Sequence, residues 1–130
     1  MTKYTIFSTD QDMDRFMNEI RPVVNDFASG KEQDNEITYA VMELLANAQD
    51  HGNANEADRK IVIEVETKQG FMVFGIEDEG VGTKRPEIPK EYPPLSSPRG
   101  RGLKSIIDMG FTVHFNDTGN KVTLVIKKED

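Results

Sequence analysis

The chain has 130 residues, of which 36% are hydrophobic and 30% charged, with a formal net charge of −7 and no cysteine. A chain of this length can bury a core without cross-links, so one domain is the default. The acidic balance argues against nucleic acid as a partner, since a sequence-independent grip on phosphates needs lysines and arginines, and the lack of thiols excludes disulfides, thiolate metal sites and cysteine nucleophiles.

Met1 to Ser8 lacks the apolar run of a secretory signal, and no later stretch approaches the roughly 20 apolar residues of a membrane span, so the expected location is the cytoplasm, with no membrane partner. Tyr4 to Ser8, aromatic and β-branched, reads as a first strand that ends where Thr9 and Asp10 offer helix caps. Phe16, Ile20, Val23, Val24 and Phe27 recur at spacings of three and four, which predicts an amphipathic helix from about Asp12 to Ala28, with Pro22 a place for a kink and Gly30 the stop. From about Asp34 a second helix carries Ile37, Ala40, Val41, Leu44, Leu45 and Ala48 on one face, and Gly52-Asn53 marks its end.

Lys60 to Thr67 alternates apolar and charged residues, as a half-buried strand does, and Gln69-Gly70 turns the chain into an antiparallel neighbour over Phe71 to Ile76. Glu77, Asp78, Glu79 and Gly80 end that strand on a polar corner. Thr83 to Arg99 holds five prolines and has the length at which a connection without regular structure usually covers a site, so it reads as a lid. A short helix from Gly100 to Met109 follows, and Phe111 to Phe115 with Lys121 to Ile126 form a closing hairpin before a solvated tail. The sum is an α/β chain: a two-layer α/β sandwich whose mixed, mostly antiparallel sheet carries its helices on one face.

Three polar constellations stand out. On the second helix, Glu43 and Asn47 are four residues apart and Asp50 and His51 fall one turn further, a stripe in which a carboxylate could take a proton from a hydroxyl and a neutral amide oxygen could ligate Mg²⁺. The same stripe would also suit an ordinary capped helix surface. Asp78-Glu79-Gly80-Val81-Gly82 sets a short carboxylate at a strand end, able to accept the exocyclic amino hydrogen of adenine, beside glycines that let backbone approach a flat base; it equally fits a local acidic turn. Arg99-Gly100-Arg101-Gly102-Leu103-Lys104 opens the third helix with bare N–H groups and cations, an anion site or else a glycine hinge with a basic patch.

These segments, in this order, resemble the N, G1 and G2 boxes of the GHKL superfamily of ATPases (gyrase, Hsp90, histidine kinases and MutL proteins), and with Gly119-Asn120-Lys121-Val122-Thr123 the chain is similar over almost its full length to anti-sigma-factor serine/threonine kinases of the RsbW and SpoIIAB type. The resemblance implies the Bergerat-type fold, ATP and Mg²⁺ as cofactors, and phosphorylation of a STAS-domain antagonist, with a sigma factor or another regulatory target as a second partner. It implies that Glu43 acts as catalytic base, Asn47 holds Mg²⁺, Asp78 reads adenine and Gly80 and Gly82 lie against the nucleotide. It further implies that the Gly100–Gly102 backbone, Leu103, Arg99 and Arg101 hold the terminal phosphates, and that Thr123 supports the base through Asp78 or a water. Family members usually form homodimers, for which Ile6, Phe7 or the first helix could supply the surface. Asn120 stands where a threonine is usual, and Lys84, Arg85 and the five prolines make an unfamiliar lid. Two other readings are a nucleotide-gated protein-binding module with little or no kinase activity, and a detached histidine-kinase catalytic domain.

Overall fold

Alternate residues of the strands are apolar, and burying that set from one side dictates a sheet with a covered face and an open one. The computed structural model describes residues 1–80, 91 and 101–129, except for the side chain of His51. Strands β1 (Thr2–Phe7), β2 (Lys60–Lys68), β3 (Phe71–Asp78), β4 (Thr112–Phe115) and β5 (Lys121–Lys127) form one sheet in the order β1-β2-β3-β5-β4. The expected mostly antiparallel sheet is antiparallel at every described pairing. Helices α1 (Asp10–Phe27), α2 (Lys31–Asn47) and α3 (Arg101–Asp108) accompany it, and a π-turn over Ala48–Gly52 extends α2.

Ile61 and Ile63 of β2, Met72, Phe74 and Ile76 of β3, and Leu124 and Ile126 of β5 are essentially inaccessible to solvent. They meet Phe16, Ile20 and Val24 of α1, Ile37, Ala40, Val41, Leu44 and Leu45 of α2, and Ile106 of α3 in one apolar core. Of the apolar set expected on the first helix only Val23 stands outside, 36% exposed. Pro22 lies within α1, and the helix runs on through it.

Side chains fix how the elements join. Thr9 caps α1 by accepting from the Asp12 amide at 3.1 Å, while the Asp12 carboxylate accepts from the Phe7 amide at 2.9 Å, which ties the first turn of the helix to the end of β1. The buried Gln33 accepts from the Ser29 amide at 2.9 Å and donates to the Lys127 carbonyl at 3.0 Å, tying the start of α2 to the end of β5. The β2–β3 turn puts Gln69 and Gly70 at φ 48° and 86°, the left-handed pair that a two-residue hairpin demands. Among the described residues no helix is long and apolar enough to cross a membrane.

Because Leu44 is 1% exposed at the centre of the α2–sheet contact, Leu44→Ala should lower the unfolding free energy by about 2–5 kcal/mol, read from urea denaturation at an unchanged m-value.

Candidate functional site

Helix α2 lies with its apolar stripe on the sheet, so the residues flanking that stripe are held at fixed height beside it. Glu43 and Asn47 occupy one flank, half-buried, and among the described residues neither side chain has a hydrogen bond or ion pair within the protein. The first turn of α3 packs directly onto Glu43. A Cβ built on Gly102 would overlap the Glu43 carboxylate, with Cγ at 2.5 Å and the carboxylate atoms nearer still. Only a glycine allows this approach. The helix start that sequence marks as an anion site and the carboxylate marked as a base are therefore neighbours.

The stripe expected to run from Glu43 through Asp50 and His51 stops at Asn47. There the hydrogen bonding widens, the Asn53 amide reaching back five residues to the Ala48 carbonyl at 2.8 Å. A π-turn accommodates one more residue than an α-turn and so rotates the chain beyond it. Asp50 is exposed, and the His51 side chain is outside the described residues. The turn delivers backbone instead: a Cβ on Gly52 would overlap the Asp78 carboxylate, with Oδ1 at 2.7 Å and its other atoms nearer, and a Cβ on Gly80 would strike the Gly52 carbonyl. The end of α2 and the acidic corner thus touch through two glycines.

Asp78 is the last paired residue of β3, opposite Ile61, and shares the helix-covered face with Phe74 and Ile76. Its amide donates to the Asn120 carbonyl at 2.9 Å, and its Oδ1 accepts from the Gly80 amide at 2.8 Å. Burial raises its carboxyl above the ordinary value of 3.8; the Gly80 amide works against this, Glu77 adds to it and Arg59 opposes it.

The other expected residues divide. Arg101 is exposed at the start of α3, whereas the Leu103 side chain is buried in the core, which leaves only its backbone amide to offer an anion. Lys104 is ion-paired with Asp108 one turn on. Gly82, Arg99 and Gly100 lie outside the described residues, as does the 83–99 lid apart from Glu91. Thr123 is a correction. In β5 the inward side chains are Val122, Leu124 and Ile126, so the pleat turns Thr123 to the open face, paired with Gly75 and His114 and away from Asp78. Three residues to which the sequence reading gives no role of their own shape this corner: Gly52, Asn53 and Glu79. Gly52-Asn53 carried a signal, but only that of a helix end.

A cleft of about 400 Å³ opens between the β2–β3 turn and the end of α1, lined by Val23, Phe27, Gly70 and Phe71 among others, at the opposite end of the sheet from these residues.

The model of the family described as the histidine kinase-like ATPase domain matches residues 8–126. The chain belongs to that family. Two curated relatives, both anti-sigma F factors, come from Clostridium botulinum strains Eklund 17B / Type B and Alaska E43 / Type E3; each is 33% identical over 98 residues. Each match covers 75% of this chain and 61% of the relative's length. Membership of the ATPase domain family implies ATP binding, and the residues fit such a group: the glycines at 52, 80 and 102 let the Asp78 and Glu43 carboxylates stand directly against neighbouring backbone, and Asn47 and Glu43 carry polar atoms with no described partner.

The raised Asp78 carboxyl has a consequence for the ATPase domain without nucleotide. The folded state holds this proton more firmly than the unfolded chain, so stability falls as pH rises from 3.8 through the higher folded value, and the ionised carboxylate is destabilising at neutral pH. Asp78→Asn keeps the oxygen that accepts from Gly80, so it should melt above the wild type at neutral pH. The difference should close as the pH falls below 3.8, as thermal melting across the acid range would record.

Proposed function

We propose that this chain is a Mg²⁺-dependent ATP-binding protein kinase of the anti-sigma-factor type, which phosphorylates a serine or threonine on a STAS-type antagonist and, in one nucleotide state, holds a sigma factor or another regulatory target. The observation that carries this reading is a pair of glycine contacts. Gly102 brings the start of α3 to Glu43, and Gly52 brings the end of α2 to Asp78, so two segments distant in sequence are held against the helix that carries Asn47.

In this reading Asp78 accepts the amino hydrogen of adenine, while Gly80 and Gly82 let backbone lie along the base. Gly100, Gly102 and the Leu103 amide, with Arg99 and Arg101, hold the terminal phosphates at the positive end of α3. Asn47 supplies one neutral oxygen to Mg²⁺; among the described residues no group of three or more His, Cys, Asp or Glu could hold a metal, which suits an ion that takes its other ligands from phosphate and water. The bound ion would neutralise charge on the phosphates. Glu43, beside the start of α3, accepts the proton of the attacking hydroxyl as its oxygen bonds to the terminal phosphorus and ADP leaves.

The proline-rich 83–99 segment favours a second reading, a module in which ATP only shapes a partner-binding surface. Glu43→Ala separates the two. Under the kinase reading it keeps Mg·ATP binding by calorimetry and loses transfer to a STAS partner by about 10²–10⁴-fold. If the wild type binds the partner and ATP together yet leaves no phosphoserine or phosphothreonine on it, the kinase reading is wrong.

Gly102→Ala should resemble Glu43→Ala in transfer while lowering the melting temperature less than Gly80→Ala, because the atoms it displaces belong to the Glu43 side chain and not to backbone. Gly80→Ala should melt markedly lower, since its Cβ meets the Gly52 backbone. Asp78→Asn should weaken ATP binding about 10-fold or more, the usual loss for a hydrogen bond to a charged group.

A further inference from the structure

We propose that Asn53 is a positioning residue for purine recognition: through a closed ring of hydrogen bonds with Lys60 and Glu79, it sets where the Asp78 carboxylate stands relative to helix α2. The proposal rests on the reading of Asp78 as the adenine contact.

The side chain of Asn53 is 0% exposed, and both ends of its amide are used. Oδ1 accepts from the Glu79 amide at 2.8 Å, and Nδ2 donates to the Lys60 carbonyl at 3.0 Å. The Glu79 carboxylate then accepts from the Lys60 amide at 2.9 Å, which closes the ring. The β2–β3 ladder ends with Ile61 opposite Asp78. One residue further, where Lys60 would pair with Glu79, two side chains take the place of the backbone bonds.

The main chain of Asn53 holds the other side. Its amide closes the π-turn on the Ala48 carbonyl, and its carbonyl accepts from the Glu56 amide at 2.9 Å. The next two residues, Ala54 and Asn55, sit at φ 51° and 58°, a left-handed conformation that a Cβ disfavours and that persists only where the surroundings impose it. Gly52, immediately before Asn53, presses on Asp78 and Gly80, so the ring clamps that contact from behind. An ordinary helix end needs a glycine or a cap. It does not need a buried carboxamide spanning a strand start and an acidic corner.

A purely stabilising Asn53 would affect every nucleotide alike. A positioning Asn53 acts through Asp78, which would distinguish the adenine amino group from the carbonyl oxygen of hypoxanthine, whereas the phosphate-binding groups treat the two nucleotides identically. Asn53→Asp retains an acceptor for Glu79 but sets an oxygen against the Lys60 carbonyl, which opens the ring with almost no change of shape. Glu79→Ala opens it at the Lys60 amide from an exposed position.

Calorimetric titration of the wild type and both variants with Mg·ATP and Mg·ITP reads the ratio of the two affinities. The wild type should prefer ATP. Asn53→Asp should reduce that preference about 10-fold, and Glu79→Ala should reduce it by a smaller factor. Should Asn53→Asp fail to fold, Glu79→Ala decides. A folded variant that keeps the wild-type ratio overturns the proposal even if both affinities fall together. A wild type that binds ATP and ITP equally overturns the role of Asp78 and this proposal with it, whereas an unchanged ratio in the variants of a discriminating wild type removes only the role of Asn53.

Discussion

Helix α2 can lie on the sheet in one way, and most of the candidate site is a result of that. Ile37, Ala40, Val41, Leu44 and Leu45 are all buried to 1% exposure or less. Rolling the helix by a single residue position, about 100°, would expose that stripe to water. The position of Glu43 and Asn47 on the flank is therefore a by-product of core packing. Apolar burial holds the polar groups still, and among the described residues neither side chain spends a hydrogen bond on the fold.

Around that fixed helix the other parts are brought close by omission of side chains. Gly102 admits Glu43, and Gly52 admits Asp78. At Asp78 the same closeness excludes water from a carboxylate and raises its proton affinity, so the corner is less stable than it would be with a neutral residue. A carboxylate kept at some cost to stability is expected of a site selected for binding over folding.

Much of this was legible from residue order. The period-two and period-3.6 patterns located every described strand and helix, because core burial imposes those periods; only the ends moved, as with α2 beginning at Lys31 and not near Asp34. Three constellations could be picked out because each combines rare chemistry with a helix start, a helix flank or a strand end. What escaped depended on tertiary register. Thr123 takes its expected role only from the resemblance of the closing Gly119–Thr123 segment, although the alternation of Val122, Leu124 and Ile126 already puts it on the other face. Asn53 looked like a helix terminator because its partners, Lys60 and Glu79, lie seven and twenty-six residues away. The π-turn has no periodic signature at all, since a single widened turn disturbs too few residues.

That widened turn makes the segment intolerant of changes in length. Deleting one residue between Ala48 and Gly52 would let the backbone revert to a regular helix and swing everything downstream by about 100°. Substitutions can accumulate along the exposed surface of α2 with little effect, but an insertion or deletion here would part Glu43 and Asn47 from the Asp78 corner at a stroke. Comparisons between distant relatives should therefore anchor their gaps outside these five positions.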